Sequence, residues 1–107
     1  MSHHEDVQIE VISRHGHVSE RMQDYAAAKF AKLLRKNDQI SRIEVVVDGP
    51  HENPEVEVLV HVDNREVVVG KERSENFNAA IDLLVEKLER QLVKAKEKLK
   101  NHKGDRA

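Results

Sequence analysis

Apolar residues alternate with polar ones in several short stretches of the chain and recur every three or four residues in two longer ones. Val7, Ile9 and Val11 alternate with Gln8 and Glu10. Ile43, Val45 and Val47 alternate with Arg42, Glu44 and Val46, and Val56, Val58, Val60 and Val62 alternate with Glu55, Glu57, Leu59 and His61. A period of two puts one set on the buried face of a sheet and leaves the other in solvent. A fourth strand is predicted over Glu66 to Gly70, after a tight turn at Asp63-Asn64. Gly16 interrupts the pattern after the first strand, and Asp48-Gly49-Pro50 stops the second.

The longer stretches carry the 3.6-residue period of a helix. In the first, Met22, Ala26, Phe30, Leu33 and Leu34 make one stripe with Tyr25 at its margin, Ser19 is the predicted N-cap, and the end falls near Lys36 or Asn37. In the second, from Asn76 to about His102, the stripe is Phe77, Ala80, Ile81, Leu84, Leu88, Leu92, Ala95 and Leu99, with Ser74 as the predicted cap. Gly104 to Ala107 reads as a frayed tail.

The predicted order is therefore β-α-β-β-β-α. A right-handed strand-helix-strand crossover makes the first two strands parallel, and the following meander makes the rest antiparallel. The expected fold class is α+β, with a mixed four-stranded sheet and both helices on one face. The helices then run parallel, so their flanks point in the same lateral sense.

Composition narrows this further. With 107 residues, 38% apolar and 36% charged, the chain supports one domain with a thin core, ordered over about residues 6 to 102. There is no Cys, which removes thiol catalysis and thiolate metal sites. No apolar run reaches membrane length, and the start MSHHEDVQ has neither region of a signal peptide, so a cytoplasmic protein is expected.

A net charge of −2 conceals a strong asymmetry. Residues 37–86 hold twelve acidic and four basic side chains, whereas residues 87–103 hold seven basic and two acidic. Local potential steers binding more than total charge does, so a polyanionic partner is compatible with this chain. On a helical wheel, Lys87, Arg90, Lys94 and Lys98 occupy a narrow arc beside the apolar stripe, with Asp82, Glu86, Glu89 and Glu97 on the far side. Arg21, Lys29, Lys32, Arg35 and Lys36 lie to one side of the stripe on the first helix. Lysines near a helix C-terminus are favoured by its dipole, but the same segregation on two helices of one domain points to a polyanion site. The few aromatics, Tyr25, Phe30 and Phe77, all lie near apolar stripes, so contact with phosphates and shape is expected rather than base stacking.

Other chemistry is not indicated. The seven histidines are scattered over a terminus, loops and single positions without the ligand set a zinc site needs, so no metal or cofactor is expected. There is no glycine-rich phosphate loop, nucleophile elbow or paired-carboxylate arrangement, and neither an enzyme nor a small-molecule substrate is expected.

Four segments carry a family likeness: Ala28-Lys29-Phe30-Ala31-Lys32-Leu33 in the first helix, and in the second Asn78-Ala79-Ala80-Ile81-Asp82, then Lys87-Leu88-Glu89-Arg90-Gln91-Leu92 and Lys96-Glu97-Lys98-Leu99-Lys100. With the strand order, the chain resembles the ribosome hibernation promoting factors and ribosome-associated inhibitors, also called ribosomal subunit interface proteins. The resemblance implies a layout similar to double-stranded RNA-binding domains. It also implies a translation inhibitor that lodges in the decoding groove of the small ribosomal subunit and protects idle ribosomes. Its implied ribosomal RNA contacts are Lys29, Lys32, Lys87, Arg90, Lys94, Lys96 and Lys98, with Lys96 off the main arc. Phe77 and Ala95 stand where many relatives have polar aromatic or His side chains. The likeness is to a short form without a dimerising domain, expected to be a monomer when free. The alternative reading is a free-standing binder of structured RNA.

Overall fold

The computed structural model describes the backbone of residues 7–105 and the side chains of residues 7–97. The elements follow in the order β1 (Gln8–Ser13), α1 (Glu20–Lys36), β2 (Ile40–Asp48), β3 (Glu55–Val62), β4 (Val68–Arg73) and α2 (Phe77–Asp105). The strands form one sheet in the order β1-β2-β3-β4, with β1 parallel to β2 and the other neighbours antiparallel. The expected mixed sheet under two helices is the observed fold.

The alternation sets the register. Ile9 pairs with Ile43 and Val11 with Val45 between β1 and β2, while Val45 pairs with Val58 and Val47 with Val56 between β2 and β3. These residues share the face that meets Phe30, Leu33, Ile81, Leu84 and Leu88, each with no measurable exposure. Each such side chain contributes about 1.5–3 kcal/mol of burial relative to an exposed position, so this one layer holds the fold. Gly70 on β4 faces Leu84 and Leu88, and a Cβ there would stand 3.1 Å from Leu84 Cδ2. The missing side chain lets α2 lie close against the sheet edge.

The ends of α1 follow the sequence. Ser19 Oγ accepts from the Met22 amide at 3.2 Å, and at the far end the Asn37 side chain donates to the Leu33 carbonyl at 2.8 Å. That bond satisfies the one buried polar side chain among the described residues. A further anchor has no periodic signal: Gln23 donates to the Ile9 carbonyl at 2.7 Å and accepts from the Val11 amide at 3.3 Å. One side-chain amide thus satisfies backbone groups of β1 at the sheet edge.

Three boundaries differ from the expectation. The fourth strand is Val68–Arg73 rather than Glu66 to Gly70, because Val60 pairs with Val68 and pairing continues to Glu55 and Arg73. Backbone groups along β3 need partners whatever the side chains are, so the charged Lys71-Glu72-Arg73 run belongs to the ladder. Before it, the Arg65 amide closes the turn onto the Val62 carbonyl at 3.2 Å, with Asn64 at φ 61°. The cap of α2 is Asn76 and not Ser74: Asn76 Oδ1 accepts from the Ala79 amide at 2.8 Å, while the Ser74 amide is bonded to the Pro54 carbonyl. The helix also runs to Asp105, past the end predicted near His102.

Candidate nucleic-acid interface

The helices run in the same direction, α1 over the β1 side of the sheet and α2 over β3 and β4. Side chains that bridge them ascend together along both: Tyr25 and Lys29 meet Asp82, and Lys36 meets Glu89. The far side of the α2 wheel is therefore the side next to α1. Asp82 and Glu89, two of the acids opposite the basic arc, line this seam and receive the lysines of α1.

At the start of the seam Asp82 Oδ1 accepts from Tyr25 Oη at 2.7 Å and lies 3.6 Å from Lys29 Nζ. The bond to Asp82 raises the Tyr25 phenol above its ordinary pKa, with partial burial adding to the effect. Lys29 also sits 5.4 Å from the centroid of the Tyr25 ring, within cation–π range. Two turns on, Lys36 Nζ bonds Glu89 Oε2 at 2.5 Å and holds that carboxyl below its usual range, with Lys32 contributing from nearby. These pairs are largely solvent-exposed, and such pairs contribute at most about 1 kcal/mol each, so a phosphate can compete for the lysines at little cost.

The basic arc of α2 lies on its opposite flank. Lys87 points to the sheet edge, where its Nζ donates to Glu72 Oε2 at 3.2 Å and to the Lys71 carbonyl at 3.3 Å. Arg90 and Lys94 are exposed and line a shallow groove with Glu86, Glu89 and Val93. Lys32 is exposed on α1. Lys96 lies off the arc, as its wheel position requires, and donates to the Lys36 carbonyl at 3.2 Å. The Lys98 side chain lies outside the described residues. Thus Arg90 and Lys94 stand together, Lys87 is tethered beside them, Lys29 and Lys32 lie along the seam side, and Lys96 is at the end of α1.

Two residues with a bearing on this surface are paired in a way that their wheel positions do not show. Lys36 and Glu89 set the charge of the seam, and only the spatial order of the helices reveals the pairing. Phe77 is a core residue, and Ala95 is half-buried. Among the described residues no three His, Asp or Glu side chains converge as a metal would require, and no helix is long and apolar enough to cross a membrane.

Residues 9–100 match the family model described as Sigma 54 modulation protein / S30EA ribosomal protein. The chain belongs to this family. It is 35% identical over 101 residues to a ribosome hibernation promoting factor of Azotobacter vinelandii, covering 94% of each chain. It is 33% identical over 96 residues to the protein of that name from Escherichia coli K12, covering 90% of this chain and 100% of that one. Among solved structures, the N-terminal domain of Protein Y from Thermus thermophilus is similar with a TM-score of 0.67 at 28% identity, over 77% of this chain and 90% of that one. A ribosomal subunit interface protein from Coxiella burnetii shares the fold with a TM-score of 0.71 at 22% identity, over 84% of this chain and 98% of that one. The family expected from the helix motifs is the family found.

Proposed function

We propose that this protein is a ribosome-binding hibernation factor of the cytoplasm that inhibits translation by occupying the decoding groove of the small subunit and stabilising idle ribosomes. It acts by occupancy, without a catalytic step. The observation that carries the reading is the exposed Arg90–Lys94 pair on α2 with Lys87 beside it, in a chain whose relatives are named ribosome hibernation promoting factors. In this reading Lys29, Lys32, Lys87, Arg90, Lys94, Lys96 and Lys98 are the ribosomal RNA contacts, and they act on phosphates. Lys29 reaches phosphate by leaving Asp82, whereas Arg90 and Lys94 need no such exchange with a described ion-pair partner.

Affinity built on phosphate contacts falls steeply with salt because condensed counterions are released on binding. The test is co-sedimentation with purified ribosomes and with isolated small subunits at low and at moderate salt. Sedimentation with both at low salt, lost at moderate salt, is expected. Absence of sedimentation at low salt overturns the reading, and equal binding to ribosomes and to isolated duplex RNA favours a general binder of structured RNA.

A further inference from the structure

The sheet face turned away from the helices is not uniformly polar. In register, Ile12 of β1 pairs with Val46 of β2, and Leu59 of β3 pairs with Val69 of β4. The two pairs sit one step apart along the strands, because Val46 faces Glu57 and Leu59 faces Glu44. Val46 and Leu59 are therefore diagonal neighbours on one face, a relation within reach of aliphatic side chains. The result is a diagonal aliphatic stripe across all four strands, with Ile12 41% and Val69 45% exposed and Val46 and Leu59 half-buried. Single exposed aliphatic residues are ordinary on protein surfaces. A continuous stripe in a chain with so few apolar residues is a surface that another molecule can cover.

Charge on the same face restricts what that molecule is. Glu10 and Glu44 flank the stripe on one side and Glu57 on the other, with Asp48 and Glu55 beyond. Against these five carboxylates stand three cations, Arg42, Lys71 and Arg73. Arg42 is already engaged by Glu44 at 2.7 Å and Arg73 by Glu55 at 3.8 Å. His61 Nε2 donates to Glu44 Oε1 over 2.9 Å. The excess of carboxylates repels phosphate and favours a cationic chain with aliphatic side chains of its own.

We propose that the open sheet face, along Ile12, Val46, Leu59 and Val69, docks a Lys/Arg-rich polypeptide segment of a ribosomal protein while the helices hold RNA. The inference rests on the proposed function, because RNA on the helix side leaves this face pointing outward. Proteins that share a surface with RNA carry cationic segments to neutralise phosphates, so the partner chemistry that the carboxylates select is present there. The protein then bridges RNA on one side of its sheet and polypeptide on the other.

The test places a photo-reactive benzoylphenylalanine at Val46 or at Val69 of the full chain, with a control at Glu86 on α2, and irradiates complexes with purified ribosomes at low salt. The sheet-face probes are expected to join a cationic segment of a ribosomal protein, and the α2 probe to join ribosomal RNA. A sheet-face probe that joins only RNA, only a second copy of this chain, or nothing overturns the inference, provided the chain sediments with ribosomes. Failure to sediment at all overturns the proposed function and the inference with it. As a second measurement, Glu57→Lys is expected to weaken ribosome binding about tenfold, in the range of a central interface residue, with binding to isolated duplex RNA unchanged or tighter. Equal effects of Glu57→Lys on both ligands count against the docking face.

Discussion

Lys96 Nζ lies 3.2 Å from the backbone carbonyl of Lys36, so a cation of α2 sits on the C-terminal end of α1. The carbonyls of a last helical turn lack intrahelical partners and carry the negative end of the dipole. A lysine supplied by the neighbouring helix satisfies one of them and fixes the spacing of the two helices at that end. Lys96→Ala is expected to lower stability by about 0.3–1 kcal/mol, the usual size of such a helix-end charge, measured by denaturant unfolding. It is also expected to weaken ribosome binding less than Lys94→Ala does. A Lys96→Ala protein that keeps its full stability but loses binding as Lys94→Ala does would assign Lys96 to the RNA surface alone.

Glu89 gives the seam a pH dependence of definite sign. The Lys36 ammonium bonded to it, and the nearby Lys32 charge, hold its carboxyl below the usual range in the folded protein. A group with a depressed folded pKa contributes stability above its unfolded pKa and loses it as pH falls through the folded one. Stability measured from about pH 7 to about pH 3 is therefore expected to fall more for the native chain than for Glu89→Gln. Because the pair is largely exposed, the difference is expected to stay within about 1 kcal/mol. A gap between the two proteins that does not change with pH would remove Glu89 from the acid response. Glu44, held down mainly by its bond to His61, is present in both proteins and cancels from the comparison.

Asn76 and Ser74 separate what the sequence makes legible from what it does not. The helix itself is evident from the stripe that runs from Phe77 through the buried Leu92 to Leu99, but Ser and Asn are both good caps, and only the end of β4 decides between them. Ser74 is held back by its amide bond to Pro54, so the helix begins two residues later. The same limit applies to the site. A wheel places Lys87, Arg90 and Lys94 on one flank and Asp82 and Glu89 on another, but it does not say which flank faces α1. The bonds of Asp82 and Glu89 to α1 give that answer, and Gln23, whose role is to bond the β1 backbone, has no periodic signature at all. The cap is directly testable. Asn76→Ala is expected to cost about 1 kcal/mol in thermal or denaturant unfolding, and Ser74→Ala much less. A larger loss for Ser74→Ala would return the cap to Ser74.

The three cations of the α2 flank are expected to differ in binding because they differ in what holds them. Arg90 and Lys94 are exposed beside one groove, whereas the Lys87 ammonium already donates to Glu72 and to the Lys71 carbonyl. A lysine that meets phosphate only by leaving a carboxylate gains less from the exchange. Single Arg90→Ala and Lys94→Ala replacements are each expected to reduce the slope of log affinity against log salt by about 1, the change for one phosphate contact. Lys87→Ala is expected to reduce it by less, and Glu72→Gln, which releases Lys87, to strengthen ribosome binding. Sedimentation across about 50 to 200 mM salt spans the range where such contacts are lost. Slopes unchanged in both Arg90→Ala and Lys94→Ala would place the phosphate contacts elsewhere on the protein. A Lys87→Ala effect as large as theirs would instead show that the tether to Glu72 dissolves on the ribosome.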